Sequence, residues 1–454
     1  MRKRIGNFSH LRTIFMLQAA TALHLGRKHF RLVSSMKIQS PRSLLPYSAP
    51  SFARHFKNLP KHRLDIANFP TPLQHVDLSN TVSSLKDSVL QPLRDLNIQL
   101  LVKRDDMTAG VELGGNKIRK LEFLLADALD GGYDSVITIG GEQSNHCRAT
   151  ATACRMVGLE PHLILRTKRA NQIEESEEED PFGYVGNILF DRMAGAHIHT
   201  CTPGEYGRVG SPSLIDSLAE DLEKKEQKVV YKIPVGGSNA LGTWGYIDAV
   251  DEFMNQVDGG NEKIDHVVFA SGSGGTAAGI CLGLSLAYLE NKIADKSPTV
   301  HAIGVCDHPD YFYETIASIA EEMGLDLASV SLESGTGTEK ASVEDFVRDN
   351  LIVHQGKGLG YASSTQEELD FIIGFALETG ISLDPVYSGK ALFQFMNEVK
   401  QNPESYRNSR VVFWHTGGSL GNYEKVESLR GTLQSISPVE RMDVYGKLRS
   451  TKSK

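Results

Sequence analysis

The sequence predicts an α/β fold of mostly parallel sheets sandwiched by helices. Three observations predict it. Between residues 134 and 421, short runs rich in Val and Ile alternate with helical runs. Several of the short runs are apolar throughout, as strands covered by helices on both faces must be. Glycine-marked turns fall where such runs pass into helices, which is where open α/β sheets bind ligands.

The strand-like runs are 134–140, 161–167, 196–201, 228–234, 266–271, 300–306 and 410–416. Helical runs separate them, among them 144–157 and 365–378. In the second, Thr365 with Glu368 three residues on forms a capping box, a local signal for a helix start. The full 454 residues suffice for two or three domains, and 40% hydrophobic content can supply a large core.

Charge is unevenly spread. Residues 1–60 hold 11 Lys or Arg and no acid, leaving 37 basic against 56 acidic groups in the rest, a net charge of −19. An acid-free, Arg- and Ser-containing start reads as an organelle transit peptide, with the mitochondrion preferred and plastid or cytosol as alternatives. The acidic remainder argues against nucleic-acid binding. No run of about 18 apolar residues occurs, so no membrane span is expected. Cys147, Cys154, Cys201, Cys281 and Cys306 are sparse and odd in number, which supports neither a disulfide framework nor a zinc site. The acidic stretch at 174–180 reads as a solvated loop.

Three loops carry the chemistry. Ser271-Gly272-Ser273-Gly274-Gly275-Thr276 follows an apolar strand and precedes the helical run 277–289. Its glycines let backbone N–H groups approach an anion, two hydroxyls add donors, and the helix N-terminus adds positive potential. No lysine follows, so it is not a Walker A loop, and Ala277 stands where the dinucleotide fingerprint prefers a third glycine. The second loop, Gly114-Gly115-Asn116-Lys117, opens the helical run 120–128; its lysine is either a surface cation or a reactive amine. The third, Gly140-Gly141-Glu142-Gln143-Ser144-Asn145-His146, offers backbone donors, an amide and a hydroxyl suited to a carboxylate or phenolic oxygen, although Ser144 also suits a helix N-cap and His146 a hydrogen-bonded helix position. Tyr361 after Gly358-Leu359-Gly360, and Tyr387 in Asp384-Pro385-Val386-Tyr387-Ser388, belong with these loops.

In that order the segments KRDDMTAGVELGGNKIRKLEFLL, ITIGGEQSNHCRATA, SGSGGTAAG, LDPVYSGKA and WHTGGSLG resemble the D-cysteine desulfhydrase and 1-aminocyclopropane-1-carboxylate (ACC) deaminase family, most of all its eukaryotic mitochondrial members. The resemblance spans roughly residues 68–423. It implies a two-domain fold-type II pyridoxal-phosphate enzyme, tryptophan synthase β-like, with twisted, mostly parallel sheets. The larger domain would comprise 61–120 and 236–435, the smaller 121–235, with 1–60 and the tail 436–454 outside. It further implies pyridoxal 5'-phosphate as cofactor, no metal, a small amino-acid substrate and a homodimer.

By the same resemblance Lys117 holds the cofactor as a Schiff base, with Asn116 beside it. Gly272, Ser273, Gly274, Gly275 and Thr276 hold the phosphate, and Asn145 meets the phenolic oxygen. Ser144 and the backbone of Gln143, Asn145 and His146 grip the substrate carboxylate, while Tyr361 and Tyr387 face the reacting carbons. ACC deaminases carry Glu after the tyrosine of DPVY and Leu in the final motif, where this chain has Ser388 and Thr416. A carboxylate beside the pyridine nitrogen favours its protonation and a stronger electron sink; a hydroxyl favours a neutral ring, sufficient for expelling thiolate. These two positions favour a carbon–sulfur lyase: β-elimination of D-cysteine to pyruvate, hydrogen sulfide and ammonia, with Lys117 as base and Tyr387, then Ser144, as proton donor to sulfur. ACC deamination is the alternative. A nicotinamide-dependent dehydrogenase and a non-catalytic cofactor-binding protein are the remaining readings.

Overall fold

Runs of Val, Ile, Leu and Phe buried on both faces form the central strands. The computed structural model describes residues 40–79, 87–175, 182–257, 263–291, 297–334, 342–439 and 441–442. In chain order the strands among them are β1 (Leu45–Pro46), β2 (His62–Arg63), β3 (Leu73–His75), β4 (Gln99–Arg104), β5 (Ser135–Gly141), β6 (Glu160–Arg166), β7 (His197–Cys201), β8 (Val230–Lys232), β9 (His266–Ser271), β10 (Thr299–Gly304), β11 (Ile352–Gln355) and β12 (Arg410–His415). A six-stranded sheet runs β11-β10-β9-β12-β4-β3, and a four-stranded sheet β7-β6-β5-β8. Every pairing is parallel except β3 on β4 and the small β1–β2 ribbon.

Seven helices matter for the site: α1 (Lys117–Asp130), α2 (Asn145–Met156), α3 (Ser211–Glu226), α4 (Ala240–Gln256), α5 (Gly275–Glu290), α6 (Gln366–Thr379) and α7 (Ser388–Gln401). Side-chain alternation explains how both faces of the large sheet are covered. Val267, Phe269, Val412 and Trp414 pack with α4 and α5, while Val268, Ala270, Val411 and Phe413 pack with α6 and α7. In the small sheet Ile137, Ile139 and Ile164 face α3, and Leu163 and Leu165 face α2. Helix α1 lies between the two bodies of core: Phe123 joins the large-sheet core, and Ile118, Leu121 and Leu125 join the cluster shared with α2. The helix that opens with Lys117 is thus clamped on both sides.

A buried ionic network fixes the base of α1. Arg119 donates to both carboxylate oxygens of Asp105 at 2.9 and 2.8 Å and reaches Glu252 on α4 at 3.0 Å. Tyr246 and Trp414 add donors to Asp105 at 2.7 and 2.8 Å. Burial raises the Asp105 carboxyl, but Arg119, then the charge of Lys103 and the Trp414 N–H, more than offset it and hold its pKa at about 2.

Three expectations need correction. The start of the chain was expected to stand outside the fold to residue 60, and residues 1–39 lie outside the described part. Residues 40–60 are packed: Phe52, Ala53 and Phe56 join the large-sheet core, and Tyr47 donates to Asp248 at 2.5 Å. Strands β3, β4 and β11 were not foreseen, because the first two precede the region of obvious alternation and β11 is a four-residue edge strand carrying His354 and Gln355. Helix α1 starts at Lys117 itself, three residues before the foreseen helical run. The acidic stretch 174–180 lies mostly outside the described residues. The capping box is present as foreseen, with Thr365 N–H donating to Glu368 at 2.8 Å and Glu368 N–H to Thr365 Oγ1 at 3.2 Å.

Candidate active site

The carboxyl ends of β5, β6, β9, β10 and β12 converge on one cavity of about 450 Å³. Among its lining residues are Asn116, Lys117, Ser144, Asn145, His146, Arg166, Gly272, Ser273, Gly274, Thr276, Tyr361, Tyr387 and Thr416. Five segments distant in sequence are brought together here.

Lys117 sits at the first turn of α1 with no hydrogen-bond or ion-pair partner among the described residues. Burial lowers its pKa to about 8, so a sizeable fraction of the amine is neutral near physiological pH. Asn116 holds the turn in place: its N–H donates to Thr416 O at 3.0 Å and its amide to Thr276 Oγ1 at 3.0 Å. The two flanking loops approach so closely that a Cβ on Gly417 would lie 2.7 Å from Gly115 Cα, and both glycines have positive φ.

The glycine loop after β9 caps α5, with Gly274 at φ 85° as the N-cap. Ser273 Oγ and Ser238 Oγ are 2.8 Å apart, and Gly275 N–H donates to Ser238 at 3.1 Å. Gly275 therefore stands one step behind the cavity wall, while Gly274 and Thr276 line it. Lys120, one turn along α1, is buried and donates to Gly236 O at 3.2 Å and Ser238 Oγ at 3.1 Å. No carboxylate pairs with it among the described residues. Burial, and secondarily the charge of Lys117, drives its pKa well down. An ammonium without a counter-ion is costly to bury, so Lys120 rests as the neutral amine, and an anion beside the loop favours its protonation. Sequence reasoning missed both Lys120 and Ser238. The available signal for Lys120 was its spacing from Lys117, since residues three apart share a helix face.

The loop after β5 is built differently. Ser144 both lines the cavity and caps α2, accepting from Cys147 N–H at 3.2 Å. The buried Oδ1 of Asn145 and Nδ1 of His146 have no partner, nor has the hydroxyl of Ser271 at the end of β9. His146 Nε2 is 2.9 Å from Thr138 Oγ1; burial, then the two neighbouring lysines, keeps the ring neutral. Gln143 turns away from this cavity: its amide donates to Val185 O at 3.0 Å and its Oε1 accepts from Asn187 N–H at 2.8 Å.

Across the cavity, the hydroxyls of Tyr361 and Tyr387 are 2.7 Å apart. Burial raises both phenols, Tyr387 most, so both are neutral proton carriers. The Arg166 guanidinium lies 4.8 Å over the Tyr206 ring and 5.7 Å over Tyr361, with no carboxylate partner among the described residues. Arg166 and Tyr206 were not foreseen; a β-strand ending in Arg gives no distinctive signal.

Ser388 departs from expectation. It is wholly buried and absent from the cavity wall; its Oγ donates to Asp384 Oδ1 at 2.6 Å and accepts from Asp384 N–H at 2.9 Å. Its hydroxyl is committed to closing the turn into α7, because neighbouring residues at a helix start point in different directions. Thr416 does line the cavity.

The residues present fit pyridoxal phosphate. A glycine loop at a helix N-terminus, with the Lys120 amine behind it, suits a phosphate. Unpartnered buried polar atoms on the opposite wall suit a polar ring, and a free amine of lowered pKa suits an aldehyde.

The described residues contain no helix long and apolar enough to cross a membrane. Comparison with known proteins points the same way. The pattern of the family described as "pyridoxal-phosphate dependent enzyme" matches residues 68–417. The chain is 42% identical over 424 residues, 93% of its length and 94% of the relative's, to the bifunctional D-cysteine desulfhydrase/1-aminocyclopropane-1-carboxylate deaminase, mitochondrial, of Arabidopsis thaliana. It is 33% identical to the D-cysteine desulfhydrase of Serratia proteamaculans, covering 79% of this chain and 94% of that one. A crystal structure of an ACC deaminase homologue superposes with a TM-score of 0.64 at 28% identity, covering 85% of this chain and 99% of that one. The chain belongs to the pyridoxal-phosphate-dependent enzyme family, with the fold-type II architecture that its two helix-flanked sheets display.

Proposed function

We propose that this enzyme catalyses β-elimination of D-cysteine to pyruvate, hydrogen sulfide and ammonia. One observation carries the proposal: a partnerless Lys117 amine of lowered pKa lines the same cavity as a hydrogen-bonded pair of neutral phenols. Elimination needs a base at Cα and an acid at the β-substituent, and this cavity offers one of each. The names of the Arabidopsis and Serratia relatives support the same reaction.

Bound here, pyridoxal phosphate supplies an aldehyde for amines and a ring that draws electrons from Cα. In the proposed division of labour, Gly272, Ser273, Gly274 and Thr276 with Lys120 hold the phosphate, Asn145 meets the phenolic oxygen, and Thr416 faces the ring. Ser144 and the 143–146 turn hold the substrate carboxylate, and Arg166 adds positive potential. Lys117 takes the Cα proton. The C–H electron pair becomes the Cα=Cβ bond, the C–S bond breaks, and sulfur leaves with its electron pair. Tyr387, backed by Tyr361, delivers a proton to that sulfur. The freed 2-aminoacrylate takes up water to give pyruvate and ammonia.

Deamination of ACC is the second reading, favoured by the bifunctional name of the Arabidopsis relative and the likeness to an ACC deaminase homologue. Supplying purified holoenzyme with D-cysteine, L-cysteine and ACC tests both. The proposal expects sulfide with equimolar pyruvate from D-cysteine; 2-oxobutyrate from ACC without any sulfide from D-cysteine would replace it with the second reading. The proposal extends to mitochondrial delivery, supported by the basic, acid-free start and the relative's name. It also includes a homodimer, and the division into 61–120 with 236–435, 121–235, and a tail 436–454.

A further inference from the structure

Far from the cavity, the small sheet carries a second cluster of chemistry-bearing residues. Strand β6 reads Glu160-x-His162 and its parallel neighbour β7 reads His197-x-His199. Alternate residues of a strand share a face, and the register sets His162 beside His197 and Ile164 beside His199. One carboxylate and three imidazoles therefore gather on one face, at the amino-terminal half of a strand whose other end supplies Arg166 to the active site.

The geometry is that of a partly assembled ligand set. One ligand atom from each of Glu160, His162 and His197 lies within 4.8 Å of the others. His162 is only 2% exposed, and its Nε2 has no hydrogen-bond partner. That atom faces Glu160 Oε2 at 3.9 Å. The other ring nitrogen, Nδ1, is 3.3 Å from His199 Nε2, so the ring is oriented from behind as metal-bound histidines usually are. His197 Nε2 already contacts Glu160 Oε1 at 2.6 Å.

We propose that Glu160, His162 and His197 bind a divalent transition-metal ion, of the zinc type, that ties the edge strand β7 to β6. Two imidazole nitrogens and a carboxylate oxygen match zinc's preferences, and the half-exposed His197 leaves a fourth position for water. Tetrahedral bonds of about 2.0–2.1 Å put ligand atoms roughly 3.3 Å apart, so the exposed His197, whose ring stacks on His162 at 4.6 Å between centroids and 15° between planes, must turn out of that stack to share an ion with His162 and Glu160. A cation already occupies part of the site: Lys228 Nζ is 2.6 Å from Glu160 Oε2 and 2.5 Å from Glu226 Oε2. Metal binding displaces Lys228 from Glu160 and leaves it on Glu226. This site is independent of the reaction assigned to the cavity.

The test uses the full-length holoenzyme, treated with chelator, dialysed, and titrated with Co2+. Absorbance of four-coordinate cobalt is read on the long-wavelength side of the cofactor band, together with Tm. The proposal expects saturation at one ion per chain with a rising Tm. The His197→Ala variant, made at an exposed side chain, abolishes both signals. Lys228→Met removes the competing ammonium and tightens Co2+ binding at least several-fold. No saturable binding in the wild type, equal binding by His197→Ala, or weaker binding by Lys228→Met would each overturn the proposal.

Discussion

Two strand–glycine–helix junctions face each other across the cavity, and they are built to opposite specifications. The junction from β9 into α5 is closed: Gly274, Gly275 and Thr276 are buried, Ser238 bridges Ser273 and Gly275, and α5 behind it is buried on nearly every side. The junction from β5 into α2 is open: residues 140–143 and Asn145 are half-buried, and Asn145 and His146 keep unpartnered atoms. The closed junction is finished apart from the Ser271 hydroxyl and an anion near Lys120, which suits a permanent occupant. The open one keeps hydrogen-bonding capacity in reserve, which suits a polar ring at Asn145 and a substrate that comes and goes at the exposed turn.

The largest effect should come from the amine between them. Lys117→Ala is expected to reduce D-cysteine turnover by at least about 10³-fold, since it removes base and attachment point together; steady-state sulfide release measures it. Tyr387→Phe should lower kcat for D-cysteine about 10²-fold, within the usual range for a general acid. A β-chloro amino acid, whose leaving group needs no proton, should be nearly unaffected, and an equal loss on both substrates would remove Tyr387 from the acid role.

The closed junction is tested next. Lys120→Met should weaken cofactor affinity by about two orders of magnitude, equivalent to about 3 kcal/mol. On the open side, Arg166→Leu is expected to raise KM for D-cysteine roughly 10-fold with little change in kcat, as loss of one half-solvated charge should. The smallest effect concerns Ser388. Ser388→Ala should cost about 1–3 kcal/mol of stability through the lost bonds to Asp384, read by denaturant unfolding, while leaving the ratio of D-cysteine to ACC activity unchanged. Thr416, on the cavity wall, is where a substitution should move that ratio.

A pH dependence follows from Lys117. Cofactor uptake by apoenzyme requires the neutral amine, whose fraction grows as pH rises through its pKa. With that pKa near 8, the reconstitution rate should climb from pH 6, reach half its maximum near 8 and level off about one unit higher. A rate still climbing toward the ordinary lysine range would show that burial does not act on this amine.

The same contrast explains what the sequence could disclose. Strand β9 was legible because five of its six residues, all but His266, are apolar or small, and all six are buried. Strand β11 was not, since an edge strand reading IVHQ lacks that signature. The glycine loop was legible as a strand-to-helix junction from residue type alone, and it does line the cavity. Lys117 was not: a lysine after two glycines reads equally as a surface cation, and the family resemblance made the difference. Lys120 stayed hidden because burial of a lysine leaves no mark in sequence. Ser388 misled because it follows Tyr387, which does line the cavity, whereas the turn into α7 directs the serine hydroxyl back to Asp384.

The most direct measurement is borohydride reduction of the holoenzyme followed by peptide mapping by mass spectrometry. Lys117 and the buried Lys120 stand one helical turn apart, and only Lys117 is assigned to the aldehyde. The pyridoxyl-phosphate label should reside on Lys117, with Lys120 unmodified. A label on Lys120, or on neither, would contradict the account.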